Sequence, residues 1–133
     1  MRTRGDRAMN IALWILQVVV GAFFVNHMRL LLRPSPERLP QGMKWVLEMP
    51  SALRVFAGVA DGLAGIALIF AGFIRPVDWL VPVAAAGLVL LMTGAIVFHL
   101  FRREYPNIVL NTALLLLCAF IAYGRVALQR FDA

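Results

Sequence analysis

Residues 55–74 read VFAGVADGLAGIALIFAGFI, twenty positions whose single charge is Asp61, near the middle. About twenty apolar residues are what a helix needs to cross the hydrocarbon core of a bilayer. An ionised carboxylate at that depth is costly unless it is paired, protonated or turned toward a protein interior. Aspartate is too short to reach the interface as lysine and arginine do. Two readings of Asp61 follow, a structural ion pair with Arg29 or Arg54 and a catalytic or ligand-binding carboxylate, and both stay open at this level.

Working outward, residues 10–28, 79–101 and 108–124 form three more runs without Asp, Glu, Lys or Arg. Of the 133 residues, 62% are hydrophobic and 15% charged, well below the charged share of about 25% usual in soluble domains. The runs lack the alternation of barrel strands, and open sheets cannot satisfy their backbone in lipid. The expected fold is therefore all-α: an antiparallel bundle of four transmembrane helices, about 10–32, 53–74, 79–101 and 108–126, forming one membrane domain over 1–133. Arg2, Arg4 and Arg7 precede the first run as in a signal peptide, but no small-x-small cleavage site follows. The single cysteine, Cys118, excludes an internal disulfide or a CxxC pair. A net charge of +6 would suggest nucleic acid in a soluble chain. Here the basic residues sit at helix ends, so the expected partner is the lipid bilayer, with no nucleic acid.

The connections are unequal. Residues 75–78 and 102–107 are short enough to force antiparallel neighbours. Asp78 and Asn107 each follow a proline or lie one residue beyond it, where N-caps belong. The first connection, about 29–54, holds Pro34, Pro36, Pro40 and Pro50 and then the amphipathic piece MKWVLEM at 43–49. It reads either as a solvated loop with Trp45 anchored at the lipid interface or as a lid over the bundle mouth. Basic residues are shared almost equally between the two sides, Arg2, Arg4, Arg7, Arg75, Arg125 and Arg130 against Arg29, Arg33, Arg38, Lys44, Arg54, Arg102 and Arg103. Discounting Arg29 and Arg54 as half-buried places both termini in the cytoplasm.

Alternating helix directions bring Asn26, His27, Arg29, Arg54, His99, Asn107 and Asn111 to the side of the long connection. Asp61 lies about 10 Å below Arg54 on the same helix face. The other half of the bundle holds only Gln17 and Thr93 as deep polar groups, with Tyr123 near the interface. A pocket is expected, open toward the long connection and closed at the far end. Its candidate catalytic residues are Asp61, His27 and His99, and its candidate binding residues are Asn26, Arg29, Arg54 and Asn111; no metal set is expected. Each has a plainer role available: hydrogen-bonded structural histidines, arginines reaching headgroups, an asparagine joining helices. The GxxxG pair Gly58–Gly62 fits packing within the bundle or against a second copy.

The order of these features resembles the DoxX-like membrane proteins. A basic residue, Arg29, closes helix 1, and a GVAE-type motif in helix 2 reads Gly58-Val59-Ala60-Asp61. Gly94-Ala95 and His99 follow in helix 3, then Glu104-Tyr105-Pro106, Asn111 and the closing Ala122-Tyr123-Gly124-Arg125. The resemblance spans roughly residues 11 to 125. It implies a small multi-pass protein of the bacterial inner membrane, with some relatives proposed as quinone-linked redox subunits. Aspartate at 61 in place of the usual glutamate, and Asn26-His27 before the basic residue, point to a specialised pocket.

Three function classes remain. The first is a membrane enzyme without a cofactor, performing acid–base chemistry (isomerisation, cyclisation or epoxide opening) on a lipophilic small molecule. Histidine, which titrates near neutrality, suits that work. The second is a redox subunit that binds a quinone. The third is a non-catalytic partner or chaperone subunit, in a homo-oligomer or with another membrane subunit.

Overall fold

The computed structural model describes residues 3–131, so Arg2, counted in the charge comparison, lies outside the described residues. Four helices run antiparallel: α1 (Arg4–Leu32), α2 (Ser51–Phe70), α3 (Leu80–Phe101) and α4 (Tyr105–Tyr123). With their short continuations, all four are long and apolar enough to cross a membrane. The chain is an all-α, multi-pass membrane bundle. Between 22% and 33% of each apolar window is buried inside the protein, so most of the apolar surface is left for lipid. Leu63, Leu90, Val109 and Leu116 face outward in this way.

The helix ends differ from expectation for local reasons. α1 starts at Arg4 rather than near residue 10, because Thr3 and Asp6 form a reciprocal capping box. α2 stops at Phe70 and gives way to 3-10 turns at Ala71–Phe73 and Arg75–Val77, the second carrying Pro76. Neither expected cap forms. Asp78 makes no side-chain cap bond to α3. Asn107 lies inside the first turn of α4, because Pro106 is accommodated within that turn, and its amide donates to the Gly42 carbonyl at 3.1 Å.

Small residues join α1 to α2. A Cβ on Gly65 would stand 2.7 Å from the Gly21 carbonyl oxygen, and one on Gly62 would stand 2.0 Å from Met28 Sδ. The Gly58–Gly62 seam is thus filled by α1, as packing within the bundle requires. Phe24, Leu68, Val81, Leu88, Cys118 and Ile121 make the central core.

The first connection is folded. Gln41–Glu48 forms a 3-10 helix across one end of the bundle, where Trp45 and Val46 join Leu31 and Leu39 in a second apolar cluster. Trp45 is 7% exposed; it points into the protein rather than anchoring at the lipid interface. The segment is tied down by Arg102 donating to Glu48 and by the Asn107–Gly42 bond.

The opposite end is closed by polar contacts. α4 continues as a π-helical turn, Gly124–Leu128, sealed by Gln129 N–H donating to the Gly124 carbonyl at 2.6 Å. That turn carries Arg125 inward to 2% exposure. Its guanidinium donates to Gln17 Oε1 (2.6 Å), Asn10 Oδ1 (2.7 Å) and the Gln129 carbonyl (3.1 Å), and stands over the Phe131 ring at 4.2 Å. Gln17 passes the contact on to the Leu68 carbonyl. Because Arg125 is buried while Arg29 is exposed, the charge comparison no longer favours cytoplasmic termini.

Candidate functional site

Beneath the 41–48 segment lies a cavity of about 610 Å³, within the usual range for small-molecule sites. All four helices contribute to its lining, which is mostly aliphatic and aromatic. Of the seven residues the sequence nominates, Asp61, His27, His99, Asn26 and Asn111 line it. Arg29 and Arg54 do not. Arg29 lies on the outer face, donating to Asn26 Oδ1 at 3.1 Å, and Arg54 donates to the Leu31 carbonyl in the last turn of α1, where a cation meets the negative end of the helix dipole.

The direct partner of Asp61 is therefore His27 rather than either arginine. Position 27 of α1 faces α2 across the close seam made by the glycines, which puts His27 Nδ1 2.7 Å from Asp61 Oδ2. Asp61 is 2% exposed. The arginines are placed two and seven residues from these partners, with guanidiniums long enough to find carbonyl or amide acceptors nearer the surface. Phe23 stacks on the His27 ring at 5.9 Å between centroids.

A second histidine–carboxylate pair stands on the α3–α4 side. The turn between those helices satisfies its carbonyls in Schellman fashion, with Arg103 N–H donating to Leu100 O and Glu104 N–H to His99 O. This fold-back brings the Glu104 side chain under His99, Nδ1 to Oε1 at 3.0 Å. Arg102 Nε also donates to Glu104 Oε1 at 2.8 Å. Burial pushes the Glu104 carboxyl up, but the hydrogen bonds from His99 and Arg102 outweigh it and hold the group below its ordinary value. Bonds to Glu48 and Glu104 hold the Arg102 guanidinium above its own.

Trp45 stands between the two pairs. Its ring centroid is 4.7 Å from that of His99, edge on, and 6.4 Å from that of His27. Where the carboxylate is the acceptor, Nδ1 of each histidine carries the proton and Nε2 is its remaining ring nitrogen. The wall thus holds two oriented imidazoles and an indole. Asn111 donates to the Asn107 carbonyl of its own helix at 2.7 Å, which leaves its side-chain oxygen as an acceptor. Trp45 and Glu104 were not nominated as site residues from sequence; the signals present were an aromatic in an amphipathic segment and the Glu104-Tyr105-Pro106 turn that follows His99.

A sequence profile of the DoxX-like family matches residues 15–121, a span that contains every residue lining the cavity. No curated protein and no solved structure matches the chain.

Proposed function

The chain belongs to the DoxX-like family, and from that premise we propose that its chamber takes up a neutral lipophilic molecule and that His27 and Asp61 carry out proton transfer on it. The observation that carries this reading is the 2.7 Å contact between His27 Nδ1 and Asp61 in the wall of a cavity of about 610 Å³. Asp61 accepts from Nδ1–H and so fixes the neutral imidazole with its lone pair on Nε2, the form that acts as a base. When Nε2 takes a proton, the same carboxylate stabilises the imidazolium. His99, backed by Glu104, offers the same service from the opposite wall. A proton removed at one substrate position and returned at another is the balance of an isomerisation. Cyclisation and epoxide opening, each started by a protonation, draw on the same groups. All are redox-neutral and call for no cofactor.

Phe56, Leu90 and Leu110 line the cavity and are also exposed toward lipid, which suits a substrate arriving from the bilayer. The expected setting is the bacterial inner membrane.

The test is turnover by protein in nanodiscs against a panel of lipophilic enones and epoxides. Asp61→Asn should lower turnover by about 10²–10⁴, while chelation and thiol blocking leave it unchanged. An Asp61→Asn protein that keeps its turnover removes the proposal. One that loses only thermal stability marks the pair as structural. Purified protein holding a stoichiometric redox-active quinone, reduced through a partner, would favour the quinone-linked subunit instead.

A further inference from the structure

The chamber wall contains one polar atom with nothing to bond. The Trp45 indole Nε1 is fully buried and has no hydrogen-bond partner among the described residues. Its ring lines the cavity. An indole N–H can only donate, and a buried donor left unmatched opposes folding unless something meets it. The surrounding rings do not do so: Phe98, edge on at 5.7 Å, is apolar, and neither His27 nor His99 is hydrogen-bonded to the indole nitrogen. Phenylalanine would fill the same space without the unmet group.

The charges around the chamber narrow what can meet it. Among the described residues no lysine or arginine lines the cavity, whereas Asp61 does so directly and Glu104 stands behind His99. An anionic headgroup or fatty acid would meet carboxylates with no cation to balance it. A pure hydrocarbon would leave the indole unmatched.

Building on the small-molecule reading of the chamber, we propose that Trp45 anchors the ligand by donating its indole N–H to a neutral acceptor oxygen, a carbonyl, epoxide or ether, carried on a lipophilic body. The two imidazoles flank that oxygen from either side of the indole. The anchor therefore fixes which end of the ligand faces the proton-transfer groups. A quinone carbonyl shares this chemistry.

The full-length protein in nanodiscs, with ¹⁵N-labelled tryptophan, is titrated with menthone and separately with p-menthane, the same skeleton without the oxygen. Menthone should move one indole N–H resonance downfield, the one missing from Trp45→Phe, and p-menthane should not. Trp45→Phe should weaken menthone binding about tenfold, the equivalent of about 1.4 kcal/mol expected for one hydrogen bond, and change p-menthane binding by less than about twofold. If Trp45→Phe does not fold, elimination with Trp14→Phe and Trp79→Phe assigns the resonance, and the wild-type shift decides. Equal shifts from both probes overturn the anchor while leaving the chamber reading intact. Ionised decanoate moving the same resonance overturns the neutrality of the ligand. Failure of both menthone and p-menthane to bind wild-type protein overturns anchor and chamber together. In a redox titration of protein loaded with a short-chain benzoquinone, a midpoint potential moved by Trp45→Phe identifies the quinone as one source of that oxygen.

Discussion

Where the termini meet, Arg125 spends its donors on Gln17, Asn10 and Gln129, and Gln17 in turn donates to the Leu68 carbonyl. Under the 41–48 segment, at the other end, His27 and His99 each commit one ring nitrogen to a carboxylate and Trp45 commits nothing. Both ends bury polar side chains in a bundle otherwise made for lipid. At the terminal end the groups answer one another and fill the space with Trp14, Phe131 and the Arg125 guanidinium. At the segment end they surround a cavity. Burial of polar groups therefore does not mark a site by itself; hydrogen-bonding capacity left over beside an open volume does.

Removing a central group from each end gives the sharpest test of that contrast, and the largest effect is expected at Arg125. Arg125→Met leaves Gln17, Asn10 and the Gln129 carbonyl without their donor in a buried setting. Each acceptor left unmatched in a buried setting costs about 1–3 kcal/mol, which together give a large fall in melting temperature in detergent. Menthone affinity of the protein that remains folded should be unchanged, since the chamber is at the far end. Trp45→Phe, which breaks no bond, should melt close to wild type. Arg125→Met weakening menthone binding tenfold at full folding would show that the ends are coupled rather than distinct.

A smaller effect tests the rim of the chamber through pH. Glu104 is held below its ordinary value near 4.5 by His99 and Arg102, against the opposing push of burial. The carboxylate form is thus favoured by folding: its stabilisation is fully present above about pH 4.5 and disappears as pH falls through the lowered folded value. Wild type should melt above Glu104→Gln at pH 7, and the difference should shrink as pH falls below about 4.5. Glu37, also held low by Ser35, responds to acid equally in both proteins and cancels. A constant difference across that range would mean Glu104 acts by shape alone.

Helix number, order and the depth of Asp61 were legible because lipid imposes a simple rule: runs without charge must span, and a charge within one must face inward. The side on which His27, His99 and Asn111 gather followed from alternating helix directions. The partner of Asp61 did not follow. Choosing among His27, Arg29 and Arg54 depends on which face of α1 meets α2, and that is set by the Gly21–Gly65 approach, a contact between residues 44 positions apart. Arg125 read as one more interfacial charge because nothing in the sequence announces the π-helical turn that carries it inward. Trp45 read as interface anchor before lid, since an amphipathic segment does not say which of two apolar surroundings it prefers. The His99–Glu104 pair was hidden by its turn, whose left-handed position usually signals itself with glycine and here does not.

That position is Arg103, with φ of +57°, the one non-glycine residue among those described with a positive φ. It occupies the place just past the end of α3 where the chain must turn left-handed for Leu100 and His99 to receive their bonds. A side chain there costs roughly 1–2 kcal/mol through the crowding of its Cβ against the following carbonyl. Arg103→Gly removes that crowding and gives back part of the gain through the greater freedom of glycine in the unfolded chain, for a net stabilisation of about 0.5–1 kcal/mol. The melting temperature should rise by a few degrees. Because the backbone bonds of the turn are kept, Glu104 should stay under His99, and menthone binding and the acid response of Glu104 should match wild type. The two ends of the bundle then differ in a second way: no described non-glycine residue at the terminal end has a positive φ, while the chamber end holds local strain beside its open groups. A lower melting temperature for Arg103→Gly would instead mean that the exposed guanidinium contributes more to stability, through lipid headgroups, than the strained backbone takes away.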